Sequence, residues 1–268
     1  MGSGTAGRLE MAENKVDVRA FWNSRAAQGF AAGTRDVIAK KLEIEAISGH
    51  VTDGMRILDV GCGNGITAIE LARRYSVRIL GIDFAEEMIA EAIAQTSGRL
   101  KGPVEFRVLD ARNLAHISEK FDLIYTERFL INLPDWPAQK QAIVNIASLL
   151  ADGGLYVMCE NSQDGLDRIN SFRERVGLSK INAPWHNRYL RNSEIEQMKL
   201  ADVELEDVND FSSTYYFLSR VVNAWLASQN GKEPNYESPV NQLALKLPAI
   251  GNLGQTKIWV WRRTRARR

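Results

Sequence analysis

The chain reads as an α/β protein: a doubly wound, mostly parallel sheet with helices on both faces, plus helical lid insertions. Two observations predict this. Short runs rich in Val, Ile and Leu alternate with stretches of helical period, the pattern of a parallel sheet covered on both sides. The first run also ends in a glycine-rich turn that opens a helix, which is where such sheets bind ligands.

Taken in order, "MGSGTAG" lacks the apolar core of a signal peptide, so residues 1–13 are read as a flexible leader outside the fold. Residues 14–50 are too long and too helical to be more of the same. Phe21 and Trp22 head an apolar stripe there, and "AAGTRD" interrupts it with a turn, which suggests a helical lid. Trp22 would pack on a ligand, and Thr34, Arg35 or Asp36 would reach its polar end. Five strands then follow in "RILDV", "VRILGID", "VEFRVLD", "FDLIYTE" and "GLYVMCE". Between the last two, Asp135 and Pro137 start a helix whose Ile143, Ile146, Ala147 and Leu150 share one face, and "ADGG" is expected to stop it. Beyond Glu160 a polar stretch with scattered aromatics runs to about Ser212. A helix near Tyr215 to Ala227 follows, then a loop rich in Pro, Gly and Asn, then "TKIWVWRR" as a closing strand.

The bulk properties set bounds. A chain of 268 residues can bury a substantial core and is read as one large domain with insertions. Net charge is +1, and no apolar run is long enough to cross a bilayer. Cys62 and Cys159 provide neither a disulfide framework nor a zinc-ligand spacing, so a reducing cytoplasm and no metal are expected.

The stretch "ILDVGCGNGIT", Ile57 to Thr67, carries glycine at every second position after a strand that holds one acid, Asp59. Glycine permits a sharp turn and lets a ligand approach without meeting a Cβ, while amides at the helix start stay free to donate. A dinucleotide, a phosphate or an amino-acid-like ligand would suit the loop equally. Asp83 and Asp110 narrow the choice, because they end the second and third strands and so gather at the same sheet edge. An acid at the second position accepts from both hydroxyls of a ribose; one at the third accepts from an exocyclic amine. Together they describe adenosine. A nicotinamide enzyme would show GxGxxG where this chain has GxGxG, and would keep the position of Asp59 apolar.

On these residues the sequence resembles the class I methyltransferases that use S-adenosylmethionine. "LDVGCGNG", "GIDFAEEMI" and "LDARNL" look like their first three motifs, and the resemblance covers about Asp53 to Glu160. It implies a Rossmann-like sheet of seven strands, with a methyltransferase domain at 51–268 and insertions at about 162–203 and 212–254. By similarity, Gly61, Gly63 and Gly65 would line the methionine part, Asp83 would hold the ribose, and Asp110 with the Ala111 amide would hold adenine. Phe84 would pack on the base, Asp59 would anchor the loop or the ligand's amino group, and Cys62, Met88, Arg112, Glu127 and Trp22 would complete the cofactor contacts.

Methyl transfer from a sulfonium requires alignment, exclusion of water and, for a hydroxyl acceptor, a base. His186, in "PWHNRYL", and Glu127 are the candidate bases, while Arg35, Arg128, Asn132, Glu160, Tyr189, Tyr215 and Tyr216 are candidate acceptor contacts. The acceptor is expected to be a small polar molecule, such as a sugar or a natural-product intermediate, methylated on oxygen or nitrogen. The basic end "RRTRARR" is read as a solvated tail, and no basic and aromatic face marks a nucleic-acid reader. The alternatives are a cofactor-binding scaffold or regulator without turnover, and a nucleic-acid methyltransferase. The oligomeric state has no signature here.

Overall fold

A computed structural model describes residues 18–265. The expected leader at 1–13 and the last three residues of the basic tail lie outside the described residues. Strands β1 (Arg56–Val60), β2 (Arg78–Asp83), β3 (Val104–Val108), β4 (Phe121–Glu127), β5 (Leu150–Asn161), β6 (Val203–Asn209) and β7 (Thr256–Arg263) form one sheet in the order β3-β2-β1-β4-β5-β7-β6. The first five pair in parallel, and β7 runs antiparallel to both β5 and β6. Strand order reverses between β1 and β4, which opens a crevice at their carboxyl ends.

Both faces of the sheet are covered, as the apolar runs require. On one side Leu58, Ile124, Tyr156 and Trp259 pack with Ile143 and Ile146 of α5 (Trp136–Ala147). On the other, Ile57, Leu123, Val157 and Ile258 meet Ile47 of α2 (Val37–Ser48), Leu71 of α3 (Ile66–Arg74) and Ile89 of α4 (Glu86–Gln95). Side chains at alternate positions of β1, β4, β5 and β7 thus enter opposite cores. The described chain begins with α1 (Val18–Ala26), whose Trp22 packs with Met88 at the mouth of the crevice.

Three local expectations meet a different outcome. Helix α5 does start where Asp135 accepts a hydrogen bond from the Ala138 amide at 2.8 Å, with proline in its first turn, but it ends at Ala147. "ADGG" belongs to β5 and lies at a register irregularity opposite β4, so its glycines make a strand bend and not a helix stop. The polar stretch after Glu160 hides β6, which lies at the sheet edge with most of its side chains exposed and so lacks an apolar run. That stretch also supplies α6 (Gln163–Arg175) and α7 (Asn192–Glu196). The helix expected near Tyr215 consists of α8 (Ser213–Phe217), a π-helical turn over Leu218–Asn223 and α9 (Ala224–Gln229), followed by α10 (Pro239–Ala244).

Candidate functional site

The turn after β1 is built from three glycines with three different duties. Each has a positive φ, but an added Cβ would meet different things. At Gly61 it would lie 2.5 Å from the Phe129 ring, and at Gly65 it would lie 2.5 Å from the Phe106 ring, so those two glycines serve packing. At Gly63, with φ +51°, it would meet nothing within 4 Å. Gly63 faces open space, and that space is a cavity of about 1090 Å³ at the switch point of the sheet.

Asp83, at the end of β2, ties the turn in place. Its Oδ2 accepts from the Gly63 amide at 3.0 Å and its Oδ1 from the Ala85 amide at 2.9 Å. Burial raises the carboxyl above the usual range, and the amides of Ala85, Gly63 and Phe84 oppose that rise. A carboxylate has about four lone-pair sites, so after these two bonds it keeps capacity for a ligand's hydroxyls. Asp110 also lines the cavity, with its carboxylate held by Arg112 at 2.5 Å and kept below its ordinary range by that contact. Asp59 is buried and accepts from the Tyr125 hydroxyl at 2.6 Å; burial pushes its pKa up to about 8. Cys62, Phe84, Met88, Ala111 and Trp22 line the same cavity.

The N-terminal segment covers this space. The Asn64 amide donates to the Gly29 carbonyl at 2.6 Å, which fastens the segment to the glycine turn itself. Thr34 lines the cavity, but Arg35 is exposed and lines neither this cavity nor the one beside it. Asp36 is buried instead: it caps α2 and holds Arg220 at 2.6 Å. Of the three expected alternatives Thr34 lines the cavity, while Arg35 is exposed and Asp36 is committed to an internal ion pair.

Four further assignments change. Glu127 lines the cavity, but its oxygens are engaged by Lys40 and by the Thr67 hydroxyl, each at 2.6 Å. Burial is the largest influence and would raise its pKa, but the Lys40 charge together with hydrogen bonds from Lys40, Thr67 and Glu43 lowers it below the ordinary value, so Glu127 is unsuited to take a proton. Glu160 is fully buried, accepts from the Phe129 and Leu130 amides and lines neither cavity; it shapes the loop after β4. Tyr215 donates to Asp36 and is likewise absent from the walls. Tyr216 bonds Thr256 through its hydroxyl and contributes to the smaller cavity only.

That smaller cavity, about 330 Å³, shares Trp22, Thr34, Arg128, Asn132 and His186 with the larger one, so the two adjoin. Tyr189 lines it as well. Arg128 is pinned by the buried Glu43, which the same burial raises to about 7. His186 packs against Phe21, Trp22 and Trp185, and its Nδ1 is buried without a hydrogen-bond partner. Burial, helped by Arg25, lowers its pKa, so the ring is neutral at pH 7. Lys40, Asn64 and Phe129 went unread in the sequence; each acts through a partner distant along the chain, and no local pattern marks them.

The arrangement was compared with known proteins. A family model described as "Methyltransferase domain" matches residues 57–154, the stretch that carries β1 to the start of β5. The magnesium protoporphyrin IX methyltransferase of Synechocystis, solved with bound SAH, superimposes over 92% of this chain and 98% of its own, with a TM-score of 0.56 at 14% identity. Residues 57–154 thus resemble a methyltransferase domain. Among curated relatives, phosphoethanolamine N-methyltransferase 1 of Triticum aestivum is 32% identical over 45% of the chain and 22% of its own length. The O-methyltransferase rstn1 of Aspergillus nomiae is 36% identical over 37% of the chain and 44% of its own. The chain therefore spans less than half the length of either relative in alignment, and the structural likeness speaks for the fold alone. No helix among the described residues is long and apolar enough to cross a membrane, and none of the His, Cys, Asp and Glu side chains among them group to hold a metal.

Proposed function

We propose that this protein transfers a methyl group from S-adenosylmethionine to an oxygen or nitrogen of a small polar molecule. One observation carries the reading: Gly63 presents a Cβ-free surface to a large cavity, and Asp83, bonded to that same residue, keeps acceptor capacity beside it. A cofactor fits such a cradle with its methionine part along Gly63, its ribose on Asp83 and its base between Phe84 and Ala111. The names of the relatives, which are N- and O-methyltransferases, agree with this use.

When bound, S-adenosylmethionine supplies a methyl on a cationic sulfur, and the carbon–sulfur electron pair returns to sulfur to leave neutral S-adenosylhomocysteine. This chain's own residues align and enclose. Residues 18–36, fastened by Asn64, act as the lid that excludes water and holds donor and acceptor together. The acceptor's lone pair makes the new bond, and its proton must leave. His186, neutral and lining both cavities, is the group we assign to take that proton if the acceptor is a hydroxyl.

The test has two parts. Calorimetry with S-adenosylhomocysteine should give saturable one-to-one binding, and incubation with methyl-labelled S-adenosylmethionine and fractionated small metabolites should label an acceptor. Binding without transfer to any fraction would favour a cofactor-binding scaffold; no binding would reject the reading.

A further inference from the structure

The walls of the smaller cavity have an uneven chemistry. Arg25, Arg128 and Arg220 all line it, with Asn132, Asn161, Tyr189 and Gln255, and no carboxylate among the described residues does. The carboxylates that balance two of these arginines stand behind them. Asp36 holds Arg220 and Glu43 holds Arg128, and neither acid lines this cavity. Arg25 donates to the carbonyls of Ala31 and Ala32 and lies over the Phe21 ring, with no acid paired to it among the described residues.

The three guanidinium groups are also fixed in advance. Arg220 projects from the π-helical turn, a widened form that recurs at functional sites, and its guanidinium lies between the rings of Tyr216 and Tyr236, 5.1 and 4.7 Å from their centroids. An arginine already held by an ion pair and aromatic faces loses little freedom when a ligand arrives, and its fork matches the geometry of an oxyanion. One more polar atom has no partner: Oε1 of Gln255, in a side chain more than nine-tenths buried, accepts nothing. A buried acceptor left unmatched is unfavourable, and Gln255 is one of the chamber's lining residues.

We propose that this chamber is the acceptor subsite and that it selects an anionic acceptor, whose carboxylate or phosphate lies against Arg25, Arg128 and Arg220 while the atom to be methylated faces the larger cavity. The acceptor is thus a small oxyanion-bearing molecule with a hydroxyl or amine, not a neutral sugar. The proposal rests on the methyl-transfer reading for the word acceptor, but the anion preference of the chamber stands on its own residues. The shared wall of Arg128, Asn132 and His186 is where the nucleophilic atom of such a molecule meets the donor side.

The experiment uses benzoate, phenyl phosphate and the neutral isostere benzamide as probes, titrated at constant ionic strength onto the full chain saturated with S-adenosylhomocysteine. Binding is read by calorimetry and by the fluorescence of the tryptophans. Benzoate or phenyl phosphate should bind at least tenfold tighter than benzamide, and whichever is tighter identifies the oxyanion. Arg25→Gln should reduce that preference at least threefold, read with the variant saturated at its own measured S-adenosylhomocysteine affinity. Because Arg220→Gln alone would strand the buried Asp36, the paired variant Asp36→Asn/Arg220→Gln provides the second reading and should reduce the preference by a similar factor. A preference below tenfold overturns the proposal, as does one that survives in both variants. It also falls if the anions compete with S-adenosylhomocysteine, because the arginines would then serve the cofactor's own carboxylate. Failure of the methyl-transfer reading looks different, since S-adenosylhomocysteine itself would not bind.

Discussion

Replacing Gly63 with alanine separates the demands of the fold from those of the ligand. Gly63 has φ +51°, and a Cβ added there meets no heavy atom within 4 Å. The folded protein therefore loses only the conformational term, about 1 kcal/mol for a non-glycine residue in the left-handed region. In a domain of this size that lowers the melting temperature by about 2–4 °C. The ligand meets the new methyl directly, and forcing an extra carbon into an occupied contact costs about 1–3 kcal/mol. At 1.4 kcal/mol per decade this weakens binding by roughly 5- to 150-fold. Gly61→Ala is the contrasting variant: its Cβ would overlap the Phe129 ring at 2.5 Å, so the fold suffers together with binding. Calorimetry with S-adenosylhomocysteine and thermal melts of the free proteins measure both effects. If Gly63→Ala binds within twofold of the parent, the cofactor does not pass over this residue and the cradle is misplaced.

Asp83→Ala should weaken S-adenosylhomocysteine by about 2–4 kcal/mol through lost bonds to a charged acceptor, and should also lower the melting temperature, because the amides of Gly63 and Ala85 lose their partner; equal affinity in a folded variant would remove Asp83 from the ribose site. Asn64→Ala cuts the bond to Gly29 that fastens the lid, so the dissociation rate of S-adenosylhomocysteine in stopped flow should rise on the order of tenfold, at about 1 kcal/mol for a hydrogen bond, with little change in melting temperature. Asp59 has a folded pKa of about 8 against 3.8 unfolded, so between those values the native state binds the extra proton and stability falls as pH rises. Asp59→Asn, which keeps an oxygen for Tyr125, should flatten the urea stability profile from pH 5 to 8 by up to about 1.4 kcal/mol per unit; an unchanged slope would mean the carboxyl is ionised throughout. With a hydroxyl acceptor in hand, His186→Ala should lower turnover by roughly 100-fold and erase the acid limb, which lies below pH 6.5 because burial depresses that pKa. A change in KM alone would make His186 a binding contact.

The order of strands, the glycine turn and the two strand-end acids were legible in the residues because each is a local property. Burial on both faces leaves an apolar run, and a turn that needs positive φ leaves a glycine. The same logic explains what stayed hidden. Strand β6, exposed at the sheet edge, carries no apolar run, so only its pairing with β7 reveals it. The duties of the three glycines look identical in sequence and differ only through what stands opposite, a ring at Gly61 and open space at Gly63. Charged groups are the extreme case. Lys40 meets Glu127 across 87 positions, Arg128 meets Glu43 across 85, and Arg220 meets Asp36 across 184. A side chain's type is written in the chain, but its partner is set by distance in space. That distance decided which carboxylates are spent on internal pairs, while Asp83 keeps acceptor capacity at the larger cavity and three arginines line the smaller one.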